Sequence, residues 1–232
     1  MDPLMTPLIV FDLDGTLVDS RRDLAESANE VLAAYGGAPL SIEDVSAMVG
    51  EGARVLVERV LAARGVEHPI DDALARFLEI YEQRVARHTR PYPGVVELLS
   101  TLRSQATLAV LTNKPSRHTG LLMDALGLTR FFFAVQGFDG TFPRKPDPAA
   151  LVRLVERAGT IAARTVMVGD SPVDAETARR AGTRFCALHY GIGQFGGHAV
   201  PPGTIHVSDP ARLEGVLTGM VAEFNPDLTG PV

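Results

Sequence analysis

Leu8-Ile9-Val10-Phe11-Asp12-Leu13-Asp14-Gly15-Thr16-Leu17-Val18-Asp19-Ser20 is the stretch from which the rest of the chain can be read. Its four consecutive apolar residues, without polar alternation, have the pattern of a strand buried on both faces, as in a parallel sheet covered by helices. The run ends in Asp12 and Asp14, and Gly15 supplies a turn. Residues two apart in an extended backbone point the same way, so both carboxylates are expected at one spot beyond the strand's carboxyl end. That is where open α/β sheets bind ligands. Two like charges held together need a cation or a shared proton, and a magnesium ion with a phosphate ester would use both acids. A calcium loop of the EF-hand kind does not fit, because Gly15 comes too early and the preceding run is strand-like.

Outward from this stretch the pattern turns helical. Ser20 and Asp23 have capping-box spacing, and Leu24, Ala28, Val31, Leu32 and Tyr35 recur at helical intervals up to Gly36-Gly37. Further helices are predicted from Ser41, over 53–63 and over 71–87, and no strand signal occurs between Ser20 and Arg90. After Arg90-Pro91-Tyr92-Pro93-Gly94 strands and helices alternate. Strands are predicted at 107–111, 131–135, 165–168, 184–188 and 205–207, with helices after Pro93, around Leu121, Leu122 and Leu126 up to Gly127, over 148–158 and over 172–181. The run Phe131-Phe132-Phe133 is expected to be buried strand, 191–203 a loop, and the tail from Asn225 frayed. The fold class is therefore α/β, a doubly wound, Rossmann-like parallel sheet with an inserted helical bundle. Residues 1–17 and 91–232 would form the α/β core and 18–90 the bundle. The bundle would act as a lid, hinged at 17–19 and 90–93.

Bulk properties narrow the class of function. The 232 residues are 46% hydrophobic and 22% charged, ordinary globular values. A net charge of −6 argues against a nucleic-acid partner. The single cysteine, Cys186, excludes internal disulfides and fits a reducing compartment; it is expected buried and unreactive. No segment has signal-peptide form or the length of a membrane span, so the expectation is a cytoplasmic protein without membrane or nucleic-acid partners, as monomer or homodimer.

Four strand ends or adjacent loops carry polar residues that should meet at one sheet edge: Asp12/Asp14, Thr112/Asn113, Lys145 and Asp170/Asp174. Phosphoryl transfer assigns them. Asp12 can attack phosphorus and form an acyl-phosphate that water later hydrolyses. Asp14 can give a proton to the leaving alkoxide and take one from water. Thr112 can donate its hydroxyl to a phosphoryl oxygen, and Lys145 can neutralise the phosphate and hold Asp12 charged. Asp170, with Asp12 and Asp14, would hold Mg²⁺, and Asp174 would brace the metal waters or Lys145.

Asp12-Leu-Asp-Gly-Thr-Leu-Val-Asp-Ser20, Leu111-Thr112-Asn113, Lys145-Pro-Asp-Pro148 and Gly169-Asp-Ser-Pro-Val-Asp174 together resemble the four motifs of the haloacid dehalogenase superfamily, in order and rough spacing. The resemblance implies a helical C1 cap for the inserted bundle. The dehalogenases lack the second Asp of the first motif and use no metal, so Asp14 places this chain with the magnesium phosphatases. Thr112-Asn-Lys-Pro-Ser116, Gly50-Glu-Gly-Ala-Arg-Val-Leu-Val-Glu-Arg59 and His189-Tyr-Gly191 look most like the phosphoglycolate phosphatase branch. Phe138 departs from that branch, which usually has a second glycine there. The resemblance implies hydrolysis of a small phosphate ester, 2-phosphoglycolate first. Alternatives are a sugar phosphate, pyrophosphate or nucleotide substrate, a phosphomutase like the β-phosphoglucomutases, or a non-catalytic phosphate-binding module.

Several residues admit two readings at this point. Arg54 is either a bidentate clamp for a substrate carboxylate or part of a solvated helix face. Lys114 is either a satisfied surface charge or a substrate contact beside Thr112. His118 and His189 fall near the expected site, with a surface or packing role for each. Asp19 is either a hinge support or a helix-start acid.

Overall fold

The computed structural model describes residues 6–224. Strand β1 (Leu8–Phe11) is fully buried, and the chain then turns through a short strand, β2 (Val18–Asp19). Four helices follow: α1 (Arg21–Ala34), α2 (Ile42–Ser46), α3 (Ala53–Ala62) and α4 (Ile70–Glu82). Strand β3 (Arg90–Pro91) pairs antiparallel with β2, Val18 opposite Pro91 and Asp19 opposite Arg90. The two linkers of the helical layer are thus tied to each other, a pairing too short to leave a mark in the sequence.

The remaining elements alternate: α5 (Val95–Leu102), β4 (Thr107–Pro115), α6 (Ser116–Ala125), β5 (Ala134–Phe138), α7 (Ala149–Arg157), β6 (Thr165–Gly169), α8 (Pro172–Ala181), β7 (Arg184–Leu188), β8 (Ile205–Val207) and α9 (Leu213–Phe224). They form a six-stranded parallel sheet in the order β5-β4-β1-β6-β7-β8. The first strand is central because the chain winds outward on one side through β4 and β5. It then returns to lay down β6, β7 and β8 on the other side. A ligand crevice is expected at such a reversal, beyond the carboxyl ends of β1 and its neighbours.

Alternating side chains of the buried strands feed two apolar layers. Ile9, Phe11, Val110, Val168 and Leu188 pack with α5 and α9 on one face. Leu8, Val10, Leu111, Met167 and Phe185 pack with α7 and α8 on the other. The helical layer has a core of its own, built from Leu24, Val31, Leu32, Val45, Leu56, Val60, Phe77 and Tyr81. Cys186 lies inside β7, where burial pushes its thiol up to about 12. Among the described residues no helix is long and apolar enough to cross a membrane.

The structure corrects the sequence reading in five places. Ser20 does not cap α1; its hydroxyl is turned to Asp14 instead. Helix α4 ends at Glu82, five residues early, where the chain bends back toward Asp23. The third predicted strand is displaced by three residues: Phe131 sits in a 3₁₀ turn and Phe133 is exposed. The phenylalanine run outshone Ala134–Phe138, an edge strand that needs less apolar content. Strand β4 runs on through Pro115. Helix α9 has no counterpart among the predicted elements, although Leu213, Leu217, Met220 and Val221 are helically spaced and buried. The tail from Asn225 lies outside the described residues.

Candidate active site

The strand of β1 ends at Phe11, and Asp12 follows on the sheet's carboxyl edge. Its amide donates to the Val168 carbonyl of the adjoining strand at 2.9 Å, which fixes the acid beside β6. Leu13 then opens a turn: its carbonyl accepts from the amides of Thr16, Leu17 and Val18. Gly15 is required in this turn. Its φ is +86°, and a Cβ there would overlap the carboxylate of Asp170. On β6, Gly169 precedes Asp170, and Ser171 caps α8 in a full capping box with Asp174. The box is local, yet it places Asp174 in the site, since one Asp174 oxygen accepts from Ser171 while the other accepts from Lys145 Nζ at 2.6 Å.

Three buried carboxylates therefore meet: Asp12, Asp170 and Asp174 have oxygens within 4.8 Å of one another. Lys145 Nζ stands between two of them, 2.8 Å from Asp12 and 2.6 Å from Asp174. Burial raises the Asp12 carboxyl to about 6, against the pull of Lys145. Burial also raises Asp170 to about 8, with Asp174 and Asp12 adding to the effect. Burial depresses Lys145, but its two carboxylates outweigh this and hold the ammonium above the ordinary lysine range. Asp170 is nevertheless well anchored, accepting from the amides of Ile192 (2.8 Å) and Gly193 (2.7 Å) and from the Thr16 hydroxyl (3.3 Å).

One ammonium among three buried carboxylates leaves uncompensated negative charge, and oxygen donors of this kind suit a hard divalent cation. The absence of a side chain at Gly15 keeps the Asp170 carboxylate clear. The residues fit a metal ion. Asp174 serves Lys145 and the Ser171 cap, and Asp12 and Asp170 are the acids that would hold the ion.

Asp14 stands apart from this cluster. Strand alternation stops at Asp12, and the turn swings the Asp14 carboxylate to Lys114 Nζ, 3.0 Å from both oxygens, and to the Ser20 hydroxyl at 2.5 Å. The expectation that its carboxylate joins Asp12 and Asp170 around a metal is not met by this placement. Asp12 and Asp14 do line one chamber between the sheet edge and the helical layer, together with Thr112 and Asn113. Thr112 is buried there, its Oγ1 accepting from the Lys114 amide at 3.3 Å.

The Asn113 side chain is spent on backbone. It accepts from the Lys145 amide (2.9 Å) and donates to the carbonyls of Lys145 and Gly50, each at 3.1 Å. It positions Lys145 and joins the helical layer to the sheet edge. Arg54 pairs with Asp71 on the outer surface and does not line the chamber. Lys114, far from being a surface charge, is buried, and His118 is buried beside it. His189 lies against His206, with ring nitrogens 2.8 Å apart. Asp19 pairs with Arg21 next to the β2–β3 link. Phe138 underlies the Arg144 guanidinium, 3.7 Å from its ring centre, so this departure from the family pattern has a packing partner. Ser20, Thr16 and Tyr81 were not picked out as site residues; Tyr81 comes from a helix with no sequence motif to mark it.

Residues 9–188 match the model of the haloacid dehalogenase-like hydrolase family. The phosphoglycolate phosphatase of Agrobacterium fabrum is 43% identical over 192 residues, covering 81% of this chain and 82% of that protein. Phosphoglycolate phosphatase 1 of Pseudomonas aeruginosa is 44% identical over 191 residues, covering 79% and 70%. Among solved structures, a predicted phosphoglycolate phosphatase from Haemophilus somnus superposes with a TM-score of 0.83 at 31% identity, covering 92% of this chain and 98% of that one.

Proposed function

This chain belongs to the haloacid dehalogenase-like hydrolase family, and we propose that within it the chain is a magnesium-dependent phosphatase acting on 2-phosphoglycolate through an aspartyl-phosphate. One observation carries the chemistry: Asp12 lies at the chamber wall with Lys145 Nζ 2.8 Å from its carboxylate and Asp170 close by. The names of the relatives support the substrate.

In this reading Lys145 keeps Asp12 ionised and in place. An Asp12 oxygen attacks phosphorus, and the bond from phosphorus to the ester oxygen breaks. Asp14 gives the departing oxygen a proton, then withdraws one from the water that cleaves the aspartyl-phosphate. Thr112 donates to a phosphoryl oxygen. Asp12 and Asp170 would hold a Mg²⁺ ion, which when bound offsets the charge of the phosphoryl group. Asn113 positions Lys145, and Asp174 braces it. Residues 18–90 form a cap that closes over the chamber, and 1–17 with 91–232 form the core.

The test is phosphate release from 2-phosphoglycolate, hexose phosphates, pyrophosphate, nucleotides and p-nitrophenyl phosphate, with magnesium and with a chelator. The expected result is a clear preference for 2-phosphoglycolate, abolished by the chelator and reduced at least about 10³-fold in Asp12→Asn. Turnover confined to other esters would keep the mechanism and discard the substrate. Isomerisation of a hexose phosphate in place of hydrolysis would point to a mutase. Undiminished turnover in Asp12→Asn would remove the covalent mechanism.

A further inference from the structure

The chamber above Asp12 is small and mostly apolar, with Leu24, Val49, Leu56, Phe77 and Leu78 of the helical layer among its walls. It encloses ≈ 50 Å³. A single water needs roughly 10–15 Å³ by the same measure, so the chamber has room for only a handful of heavy atoms and suits a short substrate. Beyond Asp12, Asp14, Thr112 and Asn113, the chamber is lined by three further polar side chains, Lys114, Tyr81 and His118.

Each of the three offers something different. The Lys114 ammonium spans both Asp14 oxygens and lies 4.5 Å from the centre of the Tyr81 ring. It carries three donors, one more than the two Asp14 oxygens engage. The Tyr81 hydroxyl is buried beside the Lys114 ammonium and makes no hydrogen bond of good geometry among the described residues. Burial pushes its acidity up to about 12, so it is a neutral phenol with a proton to give. His118 Nε2 lies 3.0 Å from the Leu78 carbonyl, which only accepts, so Nε2 carries the proton. Nδ1 is then a bare lone pair, buried and unpartnered. It repels an anion and suits a water or a hydroxyl.

Buried polar atoms left without a well-formed hydrogen bond are uncommon, and two of them facing one chamber point to a ligand that supplies what they lack. We infer that Lys114 and Tyr81 read a carboxylate on the substrate, and so select phosphate monoesters of short hydroxy acids over esters with uncharged tails. Two donors converge on the anion in apolar surroundings, where a buried pair discriminates strongly against an analogue that leaves it unmatched. The chamber's size sets the distance between phosphate and carboxylate at a few atoms. This inference rests on the phosphatase reading and adds to it the residues that choose the substrate.

The experiment compares kcat/KM for 2-phosphoglycolate with that for 2-hydroxyethyl phosphate, which replaces the carboxylate by a neutral group of similar length. It uses the wild-type protein, Lys114→Met and Tyr81→Phe, with magnesium. Lys114 also touches Asp14, so its loss slows both esters; the ratio between them removes that common effect. The expected ratio favours phosphoglycolate in the wild type. It falls at least about 30-fold in Lys114→Met and about three- to tenfold in Tyr81→Phe. Tyr81→Phe removes only that hydroxyl, so it carries the test even if Lys114→Met does not fold. An active wild type whose ratio is unchanged in both variants overturns this inference and leaves the phosphatase standing. A wild type that releases phosphate from neither ester overturns both.

Discussion

At the scale of single residues, the site is governed by charge held where water cannot reach it. Asp170 accepts two backbone amides, yet burial, Asp174 and Asp12 together push its carboxyl from an ordinary value near 3.8 up to about 8. An acid raised in the folded state favours folding when protonated. This contribution is complete below the unfolded value and is lost as pH rises from near 3.8 through about 8. Asp12, raised to about 6, acts in the same direction. Metal-free Asp170→Asn should therefore melt higher than metal-free wild type at pH 8, and the gap should narrow at pH 5. Magnesium should stabilise the wild type at pH 8 and leave Asp170→Asn unmoved, since a metal needs the ionised acid. Differential scanning fluorimetry with magnesium or chelator checks this. Equal melting of variant and wild type at both pH values in chelator would show that Asp170 carries no buried-charge penalty.

At the scale of elements, legibility in the sequence followed locality. Strand β1, the turn at Gly15 and helix α8 with its Ser171–Asp174 box each write their geometry within a few residues, and these deliver Asp12, Asp170 and Asp174. What was illegible depends on partners distant in the chain. Ser20 has the spacing of a cap, but the hydroxyl goes to Asp14 once the turn has placed that acid within reach. Lys114 and Tyr81 meet only because α4 is folded over the end of β4. Asp23 gives the sharpest case. It sits in the first turn of α1 and has capping-box spacing with Ser20, yet it is fully buried. Its carboxylate accepts from the amides of His88 (2.9 Å) and Thr89 (2.8 Å) and from the Thr89 hydroxyl (2.7 Å). It fastens the point where the chain leaves the helices to the point where it entered them. Asp23→Ala would strand those amides in the interior and is expected to cost about 2–4 kcal/mol in urea denaturation. A cost under about 0.5 kcal/mol would mean that water reaches the junction and that Asp23 ties nothing.

At the scale of the whole molecule, the helical layer has its own apolar core and meets the sheet edge through a thin, mostly polar seam. Asn113 bonds the Gly50 carbonyl, His118 the Leu78 carbonyl, and Arg117 grips Glu82 at 2.7 and 2.6 Å. These contacts, over linkers joined by the β2–β3 pair and by Asp23, leave the two apolar cores separate, as the proposed closure of the helical layer over the chamber requires. The Arg117–Glu82 pair is suited to testing this, because it is exposed and lies outside the chamber. A pair this well screened by solvent contributes too little to matter for folding but enough to bias a near-balanced closure. Glu82→Arg should leave thermal stability almost unchanged and raise KM for the preferred ester about two- to fivefold, with a smaller effect on kcat. The rise should shrink at high salt, where exposed charges are screened. The exchanged pair Glu82→Arg with Arg117→Glu should bring KM back, since attraction across the seam is then restored with its sign reversed. Failure of the double variant to recover would separate Glu82 from closure. Recovery would locate the control of substrate capture in the seam, outside the carboxylates that carry the chemistry.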